Sequence, residues 1–163
     1  MSDFKTITVT PVTPSTGAMI GNVDLSKALP SDTIREIHEA LMRHHVVFLR
    51  DQQISPAQHA DFARAFGPLR MARRAAFEVL TDVPEMQALI NDEARPPNVN
   101  HYHTDGIFRD EPEFASILRA VECPAAGGDT IFTSLVAAYD GLSDGMKTYL
   151  EGLSAMNDFM KLH

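Results

Sequence analysis

From Lys5 to Val12, Thr6, Thr8 and Thr10 alternate with Ile7 and Val9, the period-two pattern of a strand that buries one face. Gly17-Ala-Met-Ile-Gly21 is predicted to return beside it as a hairpin partner. After Pro30 the period changes: Ile34, Ile37, Leu41 and His45 recur at helical spacing, which predicts a helix of about three to four turns with Ser31 or Asp32 as candidate caps. Val46-Val-Phe-Leu-Arg50 reads as a further strand. Ser55-Pro56 then sets a cap and a first-turn proline before a second helix, AQHADFARAF, which Gly67-Pro68 ends.

The pattern is weaker further on. Residues 69–84, LRMARRAAFEVLTDVP, show no clear period and are predicted to be a loop, followed by a short strand over Met86–Ile90 and a loop over 91–100. Phe114–Val121 and Asp129–Thr133, separated by Cys123-Pro-Ala-Ala-Gly-Gly128, predict a second hairpin. Ser134 and Ser143 are placed to cap two closing helices, the second with Met146, Tyr149, Leu150 and Leu153 on one face. The scattered methionines and the lone Cys123 are expected in the core.

Composition narrows the class. The chain has 163 residues, 44% hydrophobic and 22% charged, which fits one globular domain. Its formal net charge of −8 disfavours nucleic acid and anionic membrane surfaces, so the expected partner is a small molecule or another protein. A single cysteine excludes an internal disulfide and a Cys-rich zinc site. The opening MSDFKTITVT has neither a basic nor an apolar leader segment, and no apolar run approaches the roughly 20 residues of a membrane span. A cytoplasmic location is expected.

The candidate chemistry lies in His101-Tyr-His-Thr-Asp-Gly-Ile-Phe108. An H-x-D pair is cheap, since this composition produces about half an instance by chance. His59-Ala-Asp61 is a second one, inside the predicted helix, where positions two apart point some 200° from each other. Around His103 and Asp105 the aromatic and β-branched neighbours favour extended backbone, on which both side chains share a face, and Gly106 allows a bend beside them. An imidazole and a carboxylate so placed are two thirds of the 2-His-1-carboxylate set that leaves open positions on Fe(II). A solvated or hydrogen-bonded pair is the bland alternative, and local spacing alone favours it.

The order of several motifs weighs against that alternative. HVVFLRDQQISPAQHADFARAFGPL, YHTDGIF, PAAGGDTIFTSLVAAYDGLS and LSAMNDF, taken together, closely resemble the taurine dioxygenase (TauD/TfdA) family of Fe(II)- and 2-oxoglutarate-dependent oxygenases. The resemblance runs from about Gly17 onward. It implies a mainly β fold with flanking helices, a double-stranded β-helix or jelly roll, of which residues 1–163 are the N-terminal portion. It also implies that His103 and Asp105 bind the metal and that Thr130, in the GGDT stretch, binds a carboxylate of 2-oxoglutarate. The implied cofactors are Fe(II), 2-oxoglutarate as cosubstrate and O2. The implied reaction decarboxylates 2-oxoglutarate to succinate and CO2 while a substrate C–H bond is hydroxylated.

The resemblance also places a distal iron-binding histidine and a 2-oxoglutarate-binding arginine beyond the stretch read here, and His163 is not expected to replace the former. Half a jelly roll cannot close, so exposed edges and core surface are expected to seek the other half or a second copy, as in a homo-oligomer. A histidine and a tyrosine that help hold the sulfonate in the taurine enzyme have no counterpart after Phe66-Gly-Pro-Leu69, which disfavours taurine. Arg70, Arg73 and Arg74 can attract another anion, such as a sulfonate, sulfate ester, carboxylate or phosphonate, with a solvated basic loop as the bland alternative. Asn98, Asn100, His101 and Tyr102 are the candidate substrate contacts. Two other readings stay open: a non-catalytic truncated remnant or interaction module of the family, and a cupin-like metal protein of different activity.

Overall fold

In a computed structural model, residues 4–71, 78–80, 82–97, 99 and 101–158 are described. The predicted first hairpin forms: β1 (Thr8–Pro11) pairs antiparallel with β2 (Ala18–Gly21), with Val9 opposite Ile20. Gly17 makes the return possible, because its φ of 86° lies in the left-handed region that only glycine adopts freely. Helix α1 (Ser31–His44) crosses over to β3 (Val47–Leu49), which lies parallel to β2. The result is a mixed three-stranded sheet in the order β1-β2-β3.

Helix α1 starts one residue earlier than its expected caps. Pro30 holds the cap position with no side-chain bond, and Ser31 already lies in the helix. Proline supplies the extended backbone that a cap needs but no acceptor side chain. At the other end His45 leaves the helix with φ 65° and returns its N–H to the Leu41 carbonyl.

Helix α2 (Pro56–Arg64) begins as predicted, with a full capping box: Ser55 Oγ accepts from Gln58 N–H at 3.2 Å and Gln58 Oε1 accepts from Ser55 N–H at 2.8 Å. Gln58 also donates to the Ser26 carbonyl at 2.8 Å, so the cap fastens the helix to the loop after β2. Ser55→Ala is expected to lower unfolding stability by about 1 kcal/mol in urea titration, with the m-value unchanged.

The core lies between α1, α2 and this sheet, around Ile7, Ile20, Leu25, Ile37, Ile54 and Phe62. Inside it Glu36, 3% exposed, carries a carboxylate. Burial alone would raise its pKa. The N–H groups of Lys5, Thr6 and Ile7 and the Thr6 hydroxyl all donate to it, and together they hold the value at about 2. One side chain thus replaces the strand partner that the backbone before β1 lacks.

Three expectations need correction. The stretch predicted as a loop over 69–84 contains β4 (Glu78–Leu80), which pairs antiparallel with β5 (Val83–Ala88), and α2 packs on that second sheet. The strand expected at Met86–Ile90 therefore starts three residues sooner. The hairpin predicted over Phe114–Thr133 does not form: neither run enters a ladder, and Leu118, Val121 and Ile131 are exposed. An isolated pair of strands is marginal without a third strand or a covered face, and among the described residues only Phe114 and Phe132 of these runs meet rings in the first part of the chain, those of His38 and Phe48. Cys123 is exposed rather than in the core, as are Met42, Met71, Met146 and Met156.

The closing helices α3 (Leu135–Asp140) and α4 (Asp144–Leu150) form, capped by Ser134 and Ser143 as predicted. Their apolar face stays in solvent, with Tyr149 70% exposed and no buried residue in either helix.

Candidate metal centre

His103 and Asp105 sit on a loop that leads into a turn, where Arg109 N–H donates to the Gly106 carbonyl at 2.9 Å. The expected extended backbone does not join a ladder. The two side chains nevertheless converge, with His103 Nε2 3.2 Å from Asp105 Oδ1. Two donors each about 2.1 Å from one ion and roughly 90° apart are about 3 Å from each other, so this separation fits adjacent positions on a single cation.

The other ring nitrogen, His103 Nδ1, is 3.2 Å from the His101 carbonyl. A carbonyl only accepts, so in the tautomer that makes this bond the proton sits on Nδ1 and Nε2 faces Asp105 as a lone-pair donor. A neutral imidazole carries one N–H, yet this ring faces acceptor oxygens on both sides. A cation between Nε2 and Oδ1 removes the mismatch; protonation of both nitrogens, giving a simple salt bridge, is the other resolution.

Both side chains are accessible, at 47% and 70% exposure. Among the described residues no group of three or more His, Cys, Asp or Glu side chains is placed to hold an ion, so the pair has no third candidate ligand beside it there. His59-x-Asp61 behaves as helical geometry requires. His59 is buried, with its pKa lowered by burial, then by the nearby Arg119 charge, against a backbone hydrogen bond to Ile117, whereas Asp61 faces solvent and pairs with Arg64 at 2.8 Å.

The remaining candidates scatter. Thr130 lines an apolar cleft of about 250 Å³ with Val12, Thr16, Phe48 and Phe132, and neither His103 nor Asp105 lines that cleft. The Phe132 ring meets Phe48 edge-on at 6.2 Å, which docks the Thr130 segment on the first sheet. His101 lies beside the pair, its ring 5.7 Å from that of His103, and Tyr102 is 70% exposed. Asn98, Asn100, Arg73, Arg74 and His163 lie outside the described residues.

Arg70 is not a free anion receptor. It pairs with Glu113 at 3.1 Å and donates to the Glu111 carbonyl at 3.1 Å, at the edge of an open cleft of about 470 Å³ that Asp110 and Glu111 also line. Sequence reasoning missed this cluster, because its contacts span some forty residues of chain and carry no local pattern.

Comparison with known proteins identifies the family. The family model described as "Taurine catabolism dioxygenase TauD, TfdA family" matches residues 8–161. An alkylsulfatase of Acinetobacter baylyi is 34% identical over 143 residues, covering 86% of this chain and 44% of that protein. An alpha-ketoglutarate-dependent sulfate ester dioxygenase of Pseudomonas putida is 34% identical over 151 residues, covering 91% and 48%. The crystal structure of a taurine dioxygenase from Burkholderia xenovorans superposes with a TM-score of 0.78 at 33% identity, covering 91% of this chain and 52% of that one.

Relatives of this chain thus fall in the class of alpha-ketoglutarate-dependent dioxygenases. Within that class, the chain belongs to the TauD/TfdA family. It spans about half the length of the curated relatives it matches. Among the described residues, no helix is long and apolar enough to cross a membrane.

Proposed function

We propose that this chain is the N-terminal portion of an Fe(II)- and 2-oxoglutarate-dependent oxygenase that hydroxylates a small, anionic organic substrate with release of succinate and CO2. The observation that carries the reading is the 3.2 Å approach of His103 Nε2 to Asp105 Oδ1 on one side of a loop, inside a sequence of this family. His103 and Asp105 supply two metal ligands, and Thr130 supplies a hydroxyl for a carboxylate of 2-oxoglutarate. The relatives named for alkyl sulfates and sulfate esters support an anionic substrate.

The bound metal, with 2-oxoglutarate and O2, provides the oxidising power. The chain's own residues orient and hold. The His101 carbonyl fixes the tautomer of His103, and the turn at Gly106 presents the carboxylate of Asp105 on the same side as the imidazole. Exposed apolar side chains at Phe114, Leu118, Val121, Ile131 and Leu135 are the surface that the rest of a jelly roll would cover, which supports a domain completed by further strands.

Anaerobic addition of Fe(II) and 2-oxoglutarate should produce a visible charge-transfer band, and oxygen should then release succinate. Folded protein that gives neither band nor succinate would sink the reading. The presence of only two candidate ligand side chains among the described residues favours a second one, a non-catalytic truncated remnant or module of the family, and that outcome would support it.

A further inference from the structure

Eight residues past Asp105, Glu113 folds back onto the ligand loop. Its Oε1 is 3.1 Å from Arg70 Nε and 3.2 Å from Arg109 Nε, so one oxygen joins the segment after α2 to the turn that follows the pair. Arg109 lies with its guanidinium 5.1 Å above the Phe108 ring, which limits the directions it can take. The other oxygen, Oε2, is buried and has no hydrogen-bond partner among the described residues.

Oε2 lies against Gly106. A Cβ at position 106 would overlap it and stand 3.0 Å from Glu113 Cδ, and the backbone there has φ 69°. A side chain is therefore opposed twice, by the left-handed backbone and by a carboxylate that ion-pairs with Arg70 and Arg109, although Arg109 Nε makes no hydrogen bond among the described residues. Glu113 is 27% exposed and Arg70 42%, and ion pairs in such settings add little to global stability. What this contact fixes is local: the course of the chain immediately after Asp105.

We propose that Glu113 is a positioning residue for the His103–Asp105 loop, clamping the Gly106 turn against residues 109–113 and tying it through Arg70 to the end of the α2 segment. The proposal rests on the reading of His103 and Asp105 as metal ligands, but its mechanical part can be measured without metal.

The test uses Glu113→Ala, Glu113→Gln, Gly106→Ala and the Glu113→Ala/Gly106→Ala double variant. Amide hydrogen exchange over residues 103–109 is followed without metal, and Mn(II) affinity is followed by electron paramagnetic resonance. Glu113→Ala should speed exchange in that loop about tenfold and weaken Mn(II) binding about tenfold, the scale seen for groups that orient metal ligands. The melting temperature should stay nearly constant. Glu113→Gln, which keeps the length and one acceptor oxygen, should recover part of both losses. Gly106→Ala should cost less in the Glu113→Ala background than alone, because the carboxylate it strikes is gone.

Exchange in Glu113→Ala within twofold of the unsubstituted protein would overturn the proposal. So would strictly multiplicative effects of the two substitutions. If the unsubstituted protein binds no Mn(II) while exchange responds as expected, the metal reading fails and the clamp stands.

Discussion

Asp105→Ala should abolish succinate release and lower divalent-metal affinity by more than about 100-fold, since groups that merely orient a ligand already cost roughly 10–100-fold when removed. The direction follows from the two-ligand geometry: once the carboxylate is gone, a single imidazole faces the ion. Asp105 is 70% exposed, so the fold should tolerate the change, with unfolding stability within about 0.5 kcal/mol of the unsubstituted protein. Asp105→Asn keeps the shape but donates where the ion needs an acceptor, and should fail almost as completely. His103→Ala should match it. Isothermal titration with Mn(II) beside a thermal melt separates these outcomes, and an Asp105→Ala protein that retains metal would remove Asp105 from the ligand set.

The second large effect is on stability. Glu36→Gln should lower the melting temperature at pH 7 by roughly 5–10 °C, because the amide places an NH2 against a cluster of N–H donors that the carboxylate satisfies. The pH dependence has a definite sign. The folded value of about 2 lies below the ordinary 4.5, so the folded state binds the proton less readily than the unfolded chain. This stabilisation is complete above about pH 4.5 and is lost as the pH falls toward 2. The gap between the unsubstituted and Glu36→Gln proteins should therefore narrow on acidification from pH 5 to pH 3. A gap that holds constant over that range would mean that the carboxylate is not the stabilising form.

Local chemistry was legible wherever one stretch of chain carries both the signal and its partner. Ser55 and Gln58 are three residues apart, and β1 and β2 meet across a short turn, so the capping box and the first hairpin could be read directly. His103 and Asp105 were legible for the same reason. The β4–β5 hairpin was hidden because its first strand is three residues long, its register shifts at Val79/Leu80, and Pro84 lies in the second strand. The strand expected over Phe114–Val121 failed in the opposite sense: β-propensity reports a fit to a half-buried pleated surface, and that surface is not supplied here. The cluster of Arg70, Arg109 and Glu113 was out of reach, because its members meet only once the chain has folded back on itself.

The buried cluster draws all its members from Ile7 to Phe62, while among the described residues from His103 onward none is buried. During synthesis from the N-terminus, the hydrophobic interior can consolidate before the His103–Asp105 loop leaves the ribosome. The nascent chain would thus acquire a rigid platform first, and the candidate ligand pair would be set on it late.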